Sequence, residues 1–471
     1  MDPVQATTLL FADQARRLLQ AGEHAQALAA YRRLYEEIGD RDRYTVLHYG
    51  QCLARAGELE PAAARFREAA VQEPGFLEAH LELSGVLWRL GEFQDSLSHA
   101  RAGVHLAPEH PQALRTLGVA LLQARQADEA ERQLRRALEL DPDAAATHVE
   151  LARCLWLAGR LSEAWGEFER RWDDPALARR PPFYEADLEW AGPSQPLQGR
   201  RLLVYAEPGH GDTMQALRYL PLLQQLGAEL VCVVPTALVP LVESSFPGVE
   251  CVRPDRDVQA DLHAALLDLP GRFGTTLQDI PSPRGYLRLP AARVREWQER
   301  LAPWQDRFRL GLAWRGAAGH PNDRNRSLAL SQLRPLLAME GVQAFSLQKD
   351  DGGAWTDVAV QGEPMVDLAG EWRDFADSAA MLQQLDLVLT VDTATAHLGG
   401  ALGVPTWVML PPNADARWLL EREDSPWYAS LRLFRRGPDE SREQQVARVV
   451  QALAAHRQRH LAQAHPPGRL P

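Results

Sequence analysis

The sequence lacks long apolar segments and clustered cysteines. None of its 471 residues belongs to an uninterrupted apolar run of about 18, so we expect no membrane-spanning segment. Cys52, Cys154, Cys232 and Cys251 are far apart and form no CxxC pair, which argues against a zinc site or a disulfide framework and favours a reducing compartment. No basic leader precedes an apolar core at the N-terminus, so we expect no secretory signal and a cytoplasmic location.

Positive charge is also scarce. The chain has 51 Lys and Arg against 63 Asp and Glu, for a net charge of −12. Nucleic acid and anionic lipid both require a basic face, so neither is an expected partner. Lys349 is the only lysine among many arginines. Codon usage explains this bias, so the residue is notable only for its position in the chain. Two phosphate-binding motifs, GxGxxG and GxxxxGK[ST], are missing.

A period of 34 or 35 residues runs through the first third of the chain. Five aligned segments begin at Gly22, Gly57, Gly91, Arg125 and Gly159. The fifth residue after each start is small: Ala27, Ala62, Ser96, Ala130 and Ala164. Prolines 74, 108 and 142 follow at the same interval. An unrelated helical bundle would not keep this period over five copies, whereas turn glycines, small contact residues and helix-ending prolines are typical of a helix–turn–helix repeat.

These repeats resemble the tetratricopeptide family, which implies an α-solenoid over residues 8–175 with a groove for a peptide or protein. The last copy is charged around Arg171, in the segment "RRWDDP", and we interpret it as a cap or as a seam against the next domain. Residues 176–200 form a linker in which Pro181-Pro182 prevents a continuing helix. Its aromatic residues predict packing along the domain seam.

From Arg201 onward, short apolar strands alternate with helical segments. This alternation predicts parallel sheets covered by helices, in two α/β lobes over residues 201–290 and 305–463. Strands are expected in "RLLVYAEPG", "AELVCVVP", "VECVRP", "HAALLDLP", "RFRLGLAWRG", "VQAFSLQKD", "MVDLAG", "LDLVLTVD", "PTWVMLP" and "LRLFRR". A final helix is predicted over about 440–463. Two such lobes enclose a cleft at the carboxyl ends of their strands, where ligands bind.

The loop "EPGHGDTMQ" follows the first strand. Gly209 and Gly211 allow a tight turn into a helix whose start favours negative charge. Asp212 is a candidate general base at the mouth of the cleft; the alternative is that it only caps the helix. His210 is a second candidate base.

The segment "LDLVLTVDTATAHLGGALGVP" carries a second candidate site. Asp392 and Thr393 end an apolar strand, and Thr395 and His397 begin the next helix. A helix start with hydroxyls and an imidazole is a suitable cradle for a diphosphate. Glycines 399–400 let this helix pack close to the sheet. The alternative is a capped helix with a buried histidine that makes one backbone hydrogen bond, and the clustering of polar groups favours the diphosphate cradle.

Three further loops carry polar or aromatic residues. The loop "AWRGAAGHPNDRNRSL", which includes Arg326, could hold an anion or could be a solvated basic turn. Gln348 and Lys349 end a strand. The compact ammonium group of Lys349 suits contact with phosphate, although the presence of a single lysine at this position can also be chance. Trp418 and Trp427 are interpreted as core and seam residues in preference to a base-stacking platform.

The second part of the chain is similar to GT-B-fold glycosyltransferases, in particular the heptosyltransferase-like superfamily, over about residues 200–437. The motifs are "GHGDTMQALRYLP" and "VDTATAHLGGALGVPTWVML". With the repeats, the architecture also resembles the protein O-GlcNAc transferases. The resemblance puts Asp212 at the catalytic-base position and Arg326 near a basic residue that offsets diphosphate charge. It assigns the donor phosphates to Asp392, Thr393, Thr395 and His397.

The resemblance implies an inverting transfer from a nucleoside-diphosphate sugar to an acceptor hydroxyl, with a protein acceptor held by the repeats. No cofactor or metal is expected, because GT-B enzymes neutralise the leaving diphosphate with helix dipoles and basic side chains. A repeat scaffold whose GT-B unit has lost catalysis is the alternative. A sugar-nucleotide epimerase is less favoured. The donor base and sugar, the acceptor and the oligomeric state stay open.

Overall fold

The computed structural model describes residues 3–253, 258–281, 284–349 and 365–464. They fall into two compact units, Met1–Cys154 and Leu155–Pro471. The division lies inside the first helix of the fifth repeat, so the end of that repeat belongs to the sheet-containing unit. Within the described ranges, no helix combines the length and the hydropathy needed to span a membrane.

The first unit consists of helices that follow the repeat period. Its helices are α1 Pro3–Gln20, α2 His24–Arg32, α3 Arg43–Arg55, α4 Leu59–Gln72, α5 Leu77–Leu90, α6 Phe93–Leu106, α7 Pro111–Gln123, α8 Ala127–Leu140 and α9 Ala145–Leu157, with a π-helical turn Arg33–Ile38 after α2. Small residues lie where paired helices meet: a Cβ on Gly50 would lie 2.6 Å from the Phe66 ring, and one on Gly118 would lie 2.6 Å from Leu134. The small residues predicted from the repeat are also fully buried, as close helix contacts require: Ala27, Ala62, Ser96, Ala130 and Ala164.

The predicted repeat turns adopt left-handed backbone conformations. Gly22, Gly57 and Gly91 have φ of 78°, 83° and 86°. Arg125, which replaces glycine in the fourth copy, has φ of 62°. A side chain in this region costs roughly 1 kcal/mol, so the surrounding helices impose the turn on a residue that disfavours it.

The second unit contains two parallel sheets. Their strands are β1 Arg201–Tyr205, β2 Glu229–Val233, β3 Glu250–Val252, β4 Leu262–Ala265, β5 Phe308–Ala313, β6 Val342–Ser346, β7 Met365–Asp367, β8 Leu387–Val391, β9 Thr406–Leu410 and β10 Leu431–Arg435. The first sheet has the order β3-β2-β1-β4, and the second has the order β10-β9-β8-β5-β6-β7. The predicted strands are all present, although Asp350, at the end of "VQAFSLQKD", lies outside the described residues.

The second unit contains the last repeat helix, α10 Leu161–Glu169, and further helices follow the strands, as the alternating pattern predicts. They are α11 His210–Ala216, α12 Leu220–Gln225, α13 Val239–Ser245, α14 Leu269–Arg272, α15 Ala291–Leu301, α16 Asp323–Arg326, α17 Arg334–Leu337, α18 Phe375–Leu382, α19 Ala394–Leu402 and α20 Arg442–Ala464. Every residue of β6, β8 and β9 is buried, which requires cover on both faces of the second sheet. The chain is therefore a helical repeat region followed by an α/β region.

The linker packs against the first sheet. Trp190 is fully buried, and its backbone N–H donates to the carbonyl of His263 at 2.8 Å. Glu189 forms a parallel bridge with the same residue of β4. The aromatic residues of the linker thus anchor it to the edge of the sheet.

The charged end of the fifth repeat is a buried ion-pair cluster. The Arg171 side chain is 5% exposed and lies 2.6 Å from carboxylate oxygens of both Glu207 and Asp268. The indole of Trp172 donates to Asp268 at 3.0 Å. Burial raises the pKa of Glu207, although Arg171 opposes the shift. Because Glu207 begins the loop after β1, the cluster fixes that loop to the last repeat helix, which makes this segment a seam.

Candidate functional site

A cavity of about 690 Å³ lies at the carboxyl ends of the second sheet and beside the loop after β1. It collects every site residue predicted from the sequence. These are Gly209, His210, Gly211, Asp212, Arg326, Gln348, Lys349, Asp392, Thr393, Thr395 and His397. Residues separated by almost 200 positions in the chain therefore share one pocket.

Asp212 lies in the first turn of α11 but does not cap it. Gly209, with φ of 125°, occupies the cap position, and among the described residues no side chain caps this helix. One Asp212 carboxylate oxygen, Oδ1, lies 2.7 Å from Nη1 of Arg417. The alternative of a simple helix cap does not describe this carboxylate, which faces the cavity in an ion pair.

Arg417 joins several cavity groups. Its Nε donates to Asp415 at 2.9 Å, and its Nη1 donates to the Gln215 side chain at 3.0 Å. Burial alone would lower the pKa of Arg417, but the carboxylates of Asp415 and Asp212 outweigh burial and hold that pKa well above its ordinary value. The cavity thus contains a guanidinium that stays charged.

The segment after β8 forms one wall of the cavity. Thr393 caps α19, and its hydroxyl accepts from the Thr395 N–H at 3.3 Å. Burial, and next the charge of Asp415, raise the pKa of Asp392 to about 6. The backbone carbonyl of Asp392 accepts from Nη1 of Arg326 at 2.7 Å. A capped helix start, hydroxyls and a guanidinium therefore meet at one point.

His397 is buried beneath this wall. Its Nδ1 lies 2.9 Å from the hydroxyl of Tyr428, and its Nε2 lies 3.4 Å from Nη1 of Arg417. Burial and the charge of Arg417 lower the pKa of His397 well below its ordinary value. The imidazole is therefore neutral and is held by side chains, unlike the single backbone hydrogen bond of the alternative interpretation.

Glycines let the two helix starts approach each other. A Cβ on Gly211 would lie 2.7 Å from Cδ2 of His397. On the far side of α19, Cβ atoms on Gly399 and Gly400 would collide with Thr406 and Tyr428. The prediction that the glycine pair allows close packing is confirmed.

Arg326 ends the short helix α16 in the predicted anion loop. Its guanidinium lies against the backbone of Gly316, where a Cβ would collide with it, and its Nε is 3.3 Å from Asp323. His320 from the same loop also lines the cavity, and burial lowers its pKa. Arg324 of the same helix is exposed and does not line the cavity. The loop thus places Arg315 and Arg326 in the cavity lining.

Gln348, Lys349 and His210 complete the predicted set. Gln348 accepts the backbone N–H of Arg315 at 3.1 Å, and Lys349 Nζ donates to the carbonyl of Trp372 at 2.8 Å. The His210 ring lies 5.0 Å from that of Phe375, centroid to centroid. These side chains make local contacts while they line the cavity.

Several lining or supporting residues were missed from the sequence. Arg417 and Asp415 follow β9, in a loop of which only the tryptophans drew attention. Their position after a strand's carboxyl end was the available signal. Trp418 and Trp427 are buried, which confirms their interpretation as core residues.

Behind the cavity wall lies a buried arginine that sequence analysis also missed. Arg218 is fully buried; it donates to the carbonyls of Trp427 at 2.8 Å and Gln215 at 2.9 Å, and its guanidinium carbon is 4.8 Å from the ring centroid of Tyr428. Among the residues that the structure describes, no carboxylate pairs with it. Its charge is satisfied by neutral oxygens and aromatic faces.

One acidic cluster elsewhere has the spacing of a metal site. Ligand oxygens of Glu169, Glu189 and Asp268 lie within 4.8 Å of one another. Arg272 contacts the first two, and Arg171 contacts the third. These residues do not line the cavity, and arginines balance their charge.

Comparison with known proteins identifies the repeats. The family described as Tetratricopeptide repeat matches residues 50–113, 81–131 and 115–181, which confirms that part of the resemblance. Protein FlbA of Caulobacter vibrioides is 27% identical over 384 residues. The match covers 75% of this chain and 63% of FlbA, so the chain spans less than two thirds of that relative.

Solved structures are similar to about a third of the chain. MamA 41-end from Desulfovibrio magneticus RS-1 is 22% identical, with a TM-score of 0.31, and the match covers 36% of this chain and 97% of that one. TTC0263, a thermophilic TPR protein in Thermus thermophilus, is 21% identical, with a TM-score of 0.33 and coverage of 36% and 94%.

Proposed function

We propose that the α/β region is a GT-B glycosyltransferase unit that transfers a sugar, with inversion and without a metal, from a nucleoside-diphosphate sugar to an acceptor hydroxyl. One observation carries the proposal: a single cavity combines the Asp212 carboxylate with the capped helix start and cations around Asp392. A carboxylate can accept a proton, and a helix start with cations can hold a diphosphate.

The strand orders support the GT-B interpretation. Counted along the chain within each sheet, they are 3-2-1-4 and 3-2-1-4-5-6. The longer order is that of dinucleotide-binding sheets, which hold ligands outside the carboxyl ends of the strands where the order reverses. In the second sheet this point lies between β5 and β8, where Asp392 and Thr393 are found.

Charge supports an anionic ligand. The described cavity lining includes the cations Arg315, Arg326, Lys349 and Arg417 and the carboxylates Asp212, Asp392 and Asp415. Because the pKa of Asp392 is raised to about 6, part of its negative charge is absent in mildly acidic solution. The remaining positive charge in a partly desolvated pocket favours a diphosphate.

The proposed reaction is an in-line displacement. The acceptor oxygen attacks the anomeric carbon while its proton passes to the Asp212 carboxylate. The bond between the anomeric carbon and the β-phosphate oxygen breaks, and its electron pair stays on the phosphate. Arg326 and the N–H groups at the start of α19 stabilise the charge that develops there.

The repeats are proposed to bring a protein acceptor. Tetratricopeptide arrays mediate protein–protein interaction through an extended concave surface. A protein acceptor would give this array a role in the reaction.

A scaffold that binds nucleotide without transfer is the second candidate. The ion pair between Asp212 and Arg417 favours it, because an ion-paired carboxylate can serve structure alone. The glycosyltransferase would turn over nucleotide sugar, whereas the scaffold would only bind it.

Turnover with nucleotide sugars tests the proposal. The full chain, incubated with UDP-, GDP-, ADP- and dTDP-sugars and a lysate acceptor pool, should release nucleoside diphosphate and label a protein. Asp212→Asn should lower the rate by about 100-fold or more, since general-base catalysis contributes roughly that factor. EDTA should leave the wild-type rate unchanged.

Asp173→Asn is the matched control, because this partly exposed carboxylate lies outside the cavity. Release and labelling by the Asp212→Asn protein at the wild-type rate would remove the proposed base. Nucleotide binding without any transfer would favour the scaffold.

A further inference from the structure

Arg417 occupies the position at which the proposed base and the proposed phosphate cradle meet. Its Nη1 is 2.7 Å from Asp212, 3.0 Å from the Gln215 side chain and 3.4 Å from Nε2 of His397. Asp212 belongs to the loop after β1, and His397 to the helix after β8. One nitrogen atom thus contacts both walls of the cavity.

This arrangement engages one carboxylate oxygen of Asp212 in an ion pair. Oδ1 accepts from Arg417, and Oδ2 lies so close to Gly209 that a Cβ there would be 2.5 Å away. An acceptor hydroxyl approaching Oδ1 would have to displace a charged guanidinium. In this state the oxygen that faces Arg417 is not available for proton transfer.

The rest of Arg417 is held independently of Asp212. Its Nε donates to Asp415 at 2.9 Å, and its backbone N–H donates to the same carboxylate at 3.0 Å. The side chain of Arg417 is 23% exposed, and that of Asp212 is 33% exposed. The guanidinium can therefore turn its outer nitrogens while Asp415 retains the inner one.

We propose that Arg417 exchanges Asp212 for the donor diphosphate, so that donor binding releases the base. This inference rests on the proposed function. A guanidinium binds phosphate through paired, charge-assisted hydrogen bonds, and a diphosphate carries more charge than one carboxylate. The exchange makes the reaction ordered, with the donor bound before the acceptor can be deprotonated.

A double-mutant cycle on diphosphate affinity tests the exchange. The probes are UDP, GDP, ADP and dTDP, titrated calorimetrically into the full chain. If Asp212 competes for Arg417, Asp212→Asn should tighten binding by about three- to tenfold, the scale of a partly exposed ion pair. Arg417→Gln should weaken binding by about 10- to 100-fold.

The double variant separates competition from structural damage. Adding Asp212→Asn to Arg417→Gln should change the diphosphate affinity by less than about twofold, because the cation for which Asp212 competes is gone. Arg422→Gln is the matched control: this arginine of the same segment pairs with exposed Asp424 and does not line the cavity. The Arg422→Gln protein should bind the diphosphates with the affinity of the wild type.

Two results would overturn the exchange. Binding of a diphosphate by the wild type with unchanged or weaker affinity in Asp212→Asn would reject it and leave the donor site intact. Absence of binding by any of the four diphosphates would reject the donor site together with the exchange. The two failures are therefore distinguishable.

Discussion

At the scale of single residues, Arg326 is a cavity-lining cation with a well-defined position. Its guanidinium packs on the backbone of Gly316 and donates to the carbonyl of Asp392, and its side chain is 11% exposed. An arginine held in this way needs little reordering when an anion arrives.

We therefore expect Arg326→Gln to weaken nucleoside-diphosphate binding by roughly 10- to 100-fold, the scale of a lost charged hydrogen bond. Calorimetric titration measures the loss. Arg324→Gln, on the same short helix but exposed and outside the lining, should bind as the wild type does. Equal affinities of the two variants would mean that Arg326 does not contact the ligand.

Residue types revealed candidate groups in the sequence, but not their partners. Asp212 and His397 stood out because each follows a strand end. Arg417 could not be paired with Asp212, because 205 positions separate them and only the packing of the two sheets brings them together. For the same reason, the sequence alone could not show that this carboxylate forms an ion pair and does not cap its helix.

At the scale of elements, α11 and α19 approach each other closely in the site. Gly211 has no side chain, and the ring of His397 occupies the space where a Cβ would lie. Alanine at this position would move the ring or separate the helices, because an imidazole buried beside Tyr428 cannot rotate away at low cost.

Gly211→Ala should therefore lower nucleoside-diphosphate affinity by about tenfold and destabilise the fold by about 1–3 kcal/mol. Titration and urea unfolding measure the two effects. Gly166→Ala is the control, since this exposed glycine of α10 has open space where its Cβ would lie. That change should stabilise the protein by about 0.5–1 kcal/mol, and loss of stability in both variants alike would contradict the packing argument.

Elements with a strong period were predictable, and their arrangement was not. The 34-residue period identified the repeat turns even at Arg125, where the residue opposes its own backbone conformation. Apolar runs identified the strands. The strand orders depend on which apolar runs pair across the sheet, and the residues of one run do not specify which other run lies beside it.

At the scale of the whole molecule, the 34-residue period predicted tetratricopeptide repeats, and the family model matches them. The division between the units was less accessible. The fifth repeat has the same period as the others, yet the compact units separate inside it. The Arg171 cluster accounts for this, because it ties the end of the repeat to the first sheet.

Stability should depend on pH in opposite senses at two aspartates. The pKa of Asp392 is raised from 3.8 to about 6, so its contribution to stability is present at low pH and is lost as pH rises through about 6. Despite burial, hydrogen bonds from Arg373 and Trp297 lower the pKa of Asp377 to about 2, so its contribution is present at neutral pH and is lost as pH falls through about 2.

We therefore expect Asp392→Asn to raise the free energy of unfolding by about 1 kcal/mol at pH 8, with no difference near pH 4. Asp377→Asn should lower it by about 2 kcal/mol at pH 8. Urea unfolding across this range measures both effects. A stabilisation by Asp392→Asn that does not change with pH would show that the raised pKa is not its source.

The buried charge of Arg218 affects which ligand charges the cavity favours. Its guanidinium keeps its proton at any physiological pH, and neutral oxygens do not cancel its charge. In the cavity wall, Tyr428 contacts both this guanidinium and the His397 side chain. This wall has low polarizability, so electric fields decay slowly within it. The charge of Arg218 therefore makes the pocket less favourable to cations, and added salt in the surrounding solvent would screen this effect only weakly.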